Sequence, residues 1–213
     1  MNKLWVYGCS FSEPYGLEEM PPITHELSKE YRILTAKYWG THLADKLGFE
    51  CITRSRSGKG WNYITCAIEQ DVRMWSKGDI IIISPSFFSR VTIMEFINVT
   101  QEELLKYYKS LDEIDKFNQS RWANSILNYQ HFGYNIFTWL VENAVYQIPN
   151  TIPPPNNESN WFNWMNVHHE YWTVPPGNDS MQSDWHFNPQ GHVAVAEQMY
   201  KVISSALKNK GTI

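Results

Sequence analysis

Three short stretches of the 213-residue chain hold residue types suited to acyl transfer. The first is Tyr7-Gly8-Cys9-Ser10-Phe11-Ser12. The hydroxyl of a serine is a weak nucleophile until a base within hydrogen-bond reach takes its proton. A loop serine needs no catalytic explanation, so Ser10 gains meaning only from a partner. The partner stretch is Ser183-Asp184-Trp185-His186-Phe187-Asn188-Pro189-Gln190-Gly191-His192. Residues two apart in an extended segment face the same side. Asp184 can then orient the His186 imidazole and stabilise its protonated form. The competing reading is an Asp–His pair that only shapes the turn into a helix. The third stretch is Ser57-Gly58-Lys59-Gly60-Trp61-Asn62. Acyl transfer needs N–H donors aimed at the developing oxyanion, and glycine allows the conformation and the close approach. A phosphate-binding loop fits less well, because neither GxxxxGK[ST] nor GxGxxG is present. A plain structural turn satisfies the pattern too.

The other candidates are weaker. His42 reads as a surface or packing residue of the first helix, and His25 and His131 have no acidic partner nearby. His168-His169-Glu170 suggests a metal, but adjacent histidines diverge and the spacing is not that of a helical zinc motif. No metal and no cofactor are expected. The Cys9 thiol is the better intrinsic nucleophile. However, Cys9 and Ser10 project to opposite sides of an extended chain end, and cysteine is often simply buried. Ser10 is the expected nucleophile.

These residues need elements to position them. Lys3 to Tyr7 reads as a strand, followed by a Pro- and Gly-containing loop from Ser12 to Ser28. Thr35 can cap a helix from Ala36 to Leu47, with Gly48 as its stop. Phe49 to Thr53 reads as a second strand, and Tyr63 to Trp75 as a second helix. Ile80-Ile81-Ile82-Ile83 is a run of β-branched residues without alternation, so a strand covered on both faces. Strand, helix, strand, helix, strand predicts a parallel sheet with helices on both sides. Ligands of such sheets bind beyond the carboxyl ends of the strands, so the segments to search are those after Tyr7, after Thr53 and after Ile83. A mainly helical segment is expected over about 98–147, with a capping-box pair at Thr100 and Glu103. Apolar spacing carries its last helix from Arg121 to Tyr146, with Gly133 as a point of interruption. Gln147 to Ile152 is a candidate last strand that Pro149 weakens. An aromatic-rich loop without clear period follows over about 150–184. Asn188 and Pro189 then start a final helix with an apolar stripe of Ala196, Met199, Ile203 and Leu207. No linker separates two domains, so residues 1–213 read as one.

Composition narrows the functions. Eighteen Lys+Arg against 22 Asp+Glu give a net charge of −4. A mildly acidic chain without a basic run is poorly suited to grip nucleic acid. No apolar stretch nears the ~20 residues of a membrane span, and the apolar run at the start is too short for a signal peptide. A cytoplasmic location is therefore expected, with no membrane partner. Three cysteines form no disulfide framework and fit a reducing compartment. Aromatic residues make up 15% of the chain, ten of them Trp. They either fill the core or line a site for sugar rings.

A Gly-x-Ser after the first strand, a Gly-containing loop after the second and an Asp/His pair before the last helix together resemble the SGNH (GDSL-type) hydrolases. The quotable matches are GCSFS, SGKGWN and DWHFNPQGH, spread over residues 3–207. The resemblance implies a three-layer α/β/α, flavodoxin-like fold with a mostly parallel sheet. It also implies Ser10 as nucleophile, His186 as base, Asp184 as its orienter, and the N–H groups of Ser10 and Gly58 as oxyanion donors. Three departures stand out. Cys9 replaces the family's Asp, one residue rather than two separates Asp184 from His186, and no Asn follows the third strand. The stretch there reads Ser84-Pro85-Ser86-Phe87-Phe88-Ser89-Arg90. Ser86, Ser89, Arg90 or Asn62 is left to supply the third donor. Losing one such donor costs on the order of 10²–10³ in turnover, so slow activity or an unusual substrate follows. The family spans lipases, deacetylases, thioesterases and acyltransferases, so the fold does not choose the substrate. Trp161, Phe162, Trp164, Tyr171, Trp172 and Trp185 point to a small-acyl ester linked to carbohydrate. An O-acyltransferase is one alternative. A non-catalytic binding or structural protein, of the kind this short aromatic-rich chain resembles in bacteriophages, is another. Oligomeric state is not readable.

Overall fold

The computed structural model describes residues 1–12, 38–56, 59–84, 92–93, 97–98, 102, 106, 111–140, 150–158, 160–174 and 184–210. In chain order the main elements are β1 (Lys3–Tyr7), α1 (Trp39–Leu47), β2 (Glu50–Thr53), α2 (Trp61–Asp71) and β3 (Ile80–Ile83). A short antiparallel pair follows, β4 (Thr92–Ile93) and β5 (Ile97–Asn98). Then come α3 (Leu111–His131), β6 (Asn135–Thr138), α4 (Trp161–Val167), β7 (Trp172–Val174), β8 (Asp184–Phe187) and α5 (Pro189–Asn209).

Four strands form one parallel sheet in the order β2-β1-β3-β6. A single parallel bridge from Thr138 to Thr151 continues it. The β3 run Ile80–Ile83 is completely buried, as a strand without alternation requires. One sheet face presents Leu4, Val6, Ile80, Ile82 and Phe137 to α1, α4 and α5. The other presents Trp5, Tyr7, Ile81, Ile83 and Ile136 to Trp61, Ile64 and Ile68 of α2 and Trp122 and Ile126 of α3. The chain is therefore a three-layer α/β/α structure, as expected.

At the amino-terminal rim of the sheet, Asp79 is 2% exposed and accepts three hydrogen bonds. They come from the Lys3 amide (2.9 Å), the Trp5 indole (3.0 Å) and the Ser76 amide (3.0 Å). A buried carboxylate is tolerated only when its lone pairs are satisfied in this way. The bonds fasten the start of β1 to the start of β3.

Several boundaries differ from the sequence reading. Tyr38 is extended, so α1 begins at Trp39 rather than Ala36. Tyr38 offers no side-chain cap; its ring is buried in the core, and packing sets the start of the helix. Thr35 lies outside the described residues. The second helix begins at Trp61, two residues before Tyr63, and gives way to a 3-10 turn at Val72–Met74. The expected helix to Tyr146 stops at His131. Gly133 takes φ +83°, and Asn135–Thr138 become the fourth parallel strand. Ile136 and Phe137 on that strand are fully buried on opposite faces of the sheet. The spacing that reads as helical is the coincidence of a helix end and a strand. The aromatic-rich stretch is likewise not a plain loop, since it contains α4, β7 and two 3-10 turns. Thr100 and Glu103 lie outside the described residues, as do Gln147 to Pro149.

Candidate functional site

The carboxyl ends of the strands meet at one rim. Ser84, just past β3, donates its N–H to the Tyr7 carbonyl (2.8 Å). Past β2, Arg54 donates to Val6 (2.8 Å) and Arg56 to Gly8 (3.2 Å). The Lys59 amide reaches the Arg56 carbonyl (3.3 Å), across the position of Gly58. Gly58 itself lies outside the described residues, as do Ser86, Ser89 and Arg90.

Ser10 begins a 3-10 turn, Ser10–Ser12, so the chain after β1 is coiled rather than extended. The Ser12 amide closes the turn on the Cys9 carbonyl (2.9 Å). Gly8 makes this possible. A Cβ there would lie 2.6 Å from Ser12 Oγ and 3.0 Å from the Ser84 carbonyl oxygen. Cys9 is fully buried, which removes its sulfur from contact with any substrate.

Asp184 and His186 are alternate residues of β8, which pairs antiparallel with β7. For Ser10, Asp184, Trp172 and Trp185 the structure describes the backbone only. His186 is half-buried. Its ring lies against Phe11, the residue after Ser10, with centroids 5.4 Å apart and planes tilted by 39°. The structure thus brings the start and the end of the chain together at the rim.

The segment after β8 is pinned tightly. Asn188 caps α5, its side chain accepting from the Gly191 amide (2.8 Å), and Pro189 takes the first helical position. Pro costs nothing there, because that N–H has no helical partner anyway. The Asn188 amide donates to the Tyr171 carbonyl (2.8 Å). Ala196, Met199, Ile203 and Leu207 are buried as the apolar stripe predicts.

His192 lies one turn further on and is 1% exposed. Its Nδ1 accepts the backbone N–H of Trp39 (3.2 Å), so a neutral ring carries its proton on Nε2. Burial lowers its pKa to about 3, helped by the nearby charges of His42 and His186. Trp39 in turn donates its indole N–H to the Phe11 carbonyl (2.9 Å). Phe11 and Trp39 are absent from the sequence-derived site. Only the proximity of Phe11 to Ser10 hints at the first, and nothing in the sequence hints at the second.

Asn62 is the second residue of α2 and half-buried. Trp161 and Trp164 are 1% and 2% exposed, and the Trp161 indole bonds to the Ile152 carbonyl (2.9 Å). Trp164 stacks on Tyr171, centroids 5.2 Å apart. Both belong to the core, and Trp164 also lines a neighbouring groove. A groove of about 410 Å³ between α4, its following turn and α5 is lined by His168, Tyr171, Gln198, Tyr200 and Lys201, among others. His168 Nδ1 pairs there with Glu170 (2.9 Å). The groove includes neither Ser10 nor His186. Among the described residues no group of three or more His, Cys, Asp or Glu could hold a metal ion. No helix among them is long and apolar enough to cross a membrane.

No family model matches the chain, and no curated protein matches it. Several solved structures are similar. One is a carbohydrate esterase family 2 enzyme with a carbohydrate-binding domain from Corynascus thermopiles (Myceliophthora fergusii), with TM-score 0.49 and 16% identity, covering 97% of this chain and 67% of that one. A psychrotrophic esterase from Pseudoalteromonas sp. matches with TM-score 0.46 and 14% identity, covering 98% of this chain and 100% of that one. A putative G-D-S-L family lipolytic protein from Desulfitobacterium hafniense DCB-2 matches with TM-score 0.44 and 11% identity, covering 95% and 99%. The chain spans about two thirds of the length of the first of these.

Proposed function

We propose that the chain is a serine-dependent ester hydrolase, with Ser10 as nucleophile, His186 as general base and Asp184 as the residue that orients the base. The observation that supports it most is the Phe11–His186 contact at 5.4 Å. It sets the turn beginning at Ser10 beside the half-buried His186 imidazole, while His192, the other histidine of the 183–192 stretch, is sealed in the core. Alternate residues of a strand share a face, which suits Asp184 to its role.

In this scheme His186 takes the Ser10 proton as Oγ bonds to the acyl carbon. The carbonyl oxygen gains negative charge and is met by the N–H groups of Ser10 and Gly58. His186 then gives its proton to the departing alcohol oxygen as the ester C–O bond breaks. Water next loses a proton to His186 and attacks the acyl-enzyme. Ser10 leaves with that proton, and the carboxylic acid is released. Asn62, Ser86, Ser89 and Arg90 are the candidates for a third donor. In the β7–β8 pair, Trp185 precedes His186 and Trp172 pairs with Phe187. The aromatic residues of this region favour a small-acyl ester carried on a sugar, with Trp161 now set aside as core.

The test is hydrolysis of p-nitrophenyl acetate and labelling by a fluorophosphonate probe, wild type beside Ser10→Ala. Turnover and labelling that vanish in Ser10→Ala support the reading. Labelling that persists removes Ser10 as nucleophile, and an inert wild type favours a binding protein. Product analysis with an added sugar acceptor separates hydrolysis from acyl transfer.

A further inference from the structure

We infer that Trp39 and His192 are positioning residues that hold the turn bearing Ser10 in register with the strand bearing His186. The inference rests on the triad proposed above and goes beyond it to the scaffold. Two hydrogen bonds from one residue make the link. The Trp39 indole N–H grips the Phe11 carbonyl (2.9 Å), and the Trp39 backbone N–H is received by His192 Nδ1 (3.2 Å). His192 is fixed by its own amide to the Asn188 carbonyl (3.0 Å), and Asn188 directly follows β8. The relay therefore runs from the residue after Ser10, through the first residue of α1, to the residue after β8.

The choice of residue types supports this. A helix leaves its first amides without intrahelical partners, and Tyr38 makes no side-chain cap bond to them. His192 supplies the missing acceptor from a different helix. It does so at a cost, because its buried Nε2 has no hydrogen-bond partner among the described residues. An aliphatic side chain would pack there without that penalty. What histidine adds is the acceptor at Nδ1. Trp39 is itself fully buried, edge-on to Trp139 at 5.9 Å, so its indole has little freedom to search for another partner.

Catalytic groups misplaced by about 1 Å lose on the order of 10²-fold in rate, and the relay's loss should act in that way. With p-nitrophenyl acetate, His192→Leu should lower kcat by roughly 10- to 100-fold and leave KM nearly unchanged. His192→Asn, whose Oδ1 can stand where Nδ1 stood, should restore most of it. Trp39→Phe should fall like His192→Leu, and the double variant should be little worse than either, since both cut one relay. A readout independent of turnover is the proton NOE between the Phe11 and His186 rings. It should weaken in His192→Leu and Trp39→Phe and persist in His192→Asn. If His192→Leu does not fold, Trp39→Phe and His192→Asn still decide. A wild-type kcat with an intact NOE in Trp39→Phe overturns the inference. So does a folded His192→Asn that behaves no better than the relay-broken variants, or losses that add fully. If the wild type turns over no ester, the triad falls, and the NOE series alone still judges the relay.

Discussion

Gly191 runs so close beneath Tyr171 that a Cβ on it would stand 2.6 Å from the Tyr171 carbonyl oxygen and 3.2 Å from Phe187 Cβ. The same carbonyl receives the Asn188 amide. A methyl group at 191 must therefore move backbone that also holds the cap after His186. Helix propensity alone favours alanine by about 0.8–1.0 kcal/mol, while overpacking costs about 1–3 kcal/mol. The clash wins because main chain, and not a flexible side chain, has to yield. Gly191→Ala should lose up to about 2 kcal/mol in urea unfolding and turn over esters more slowly.

The two histidines of the final stretch should separate cleanly. His186→Ala removes the proposed base, an effect of about 10²–10⁴ in kcat. His192→Ala removes only a support and should cost less in kcat and more in stability. Steady-state kinetics and denaturant titration on the two variants check this. Equal losses in kcat would shift the base away from His186.

Acid should destabilise the fold through His192. Its folded pKa is about 3, against 6.5 for the unfolded ring. Between those values the unfolded chain holds a proton that the folded chain refuses. The contribution is complete above about pH 6.5 and drains away as the pH falls toward about 3, by up to about 1.4 kcal/mol per pH unit. Urea midpoints taken across that window should fall less steeply in His192→Asn, which has no proton to take up. Parallel curves for the two proteins would contradict the assignment.

Trp161 should matter for folding and hardly at all for ligand contact. It is 1% exposed and packs against Trp139 at 5.3 Å and Trp164 at 5.5 Å. Trp161→Ala should cost about 3–5 kcal/mol, whereas Trp161→Phe should fold and leave KM for a sugar acetate as it was. A KM that rises several-fold in a stably folded Trp161→Phe would return this residue to the binding surface.

Much of the scaffold was readable from local pattern. Ile80–Ile83 declares a doubly covered strand by its lack of alternation, and Asn188-Pro189 with a four-residue apolar stripe declares the last helix. Both match the structure in residue and role. The strand at Asn135–Thr138 was not readable, because Ile136 continues the helical spacing of Ile126, Tyr129 and Phe132. Only the left-handed backbone at Gly133 separates the two. At the site, the stretches around Ser10 and His186 stand out by residue type. Their support does not. Nothing local marks Trp39 as the residue that bonds Phe11 on one side and His192 on the other, because that job exists only after the sheet has formed. Burial misleads in the same way: Trp161 looks like a sugar platform in sequence and lies in the core.

The Asp79 clasp has a practical corollary for anyone handling the protein. It secures Lys3, and Met1 beside it is 91% exposed. Strand β1 then carries the chain about 3.3 Å per residue toward the opposite rim. An affinity handle or a bead attached at residue 1 would thus be moored at the opposite rim of the sheet from the turn at Ser10 and from His186.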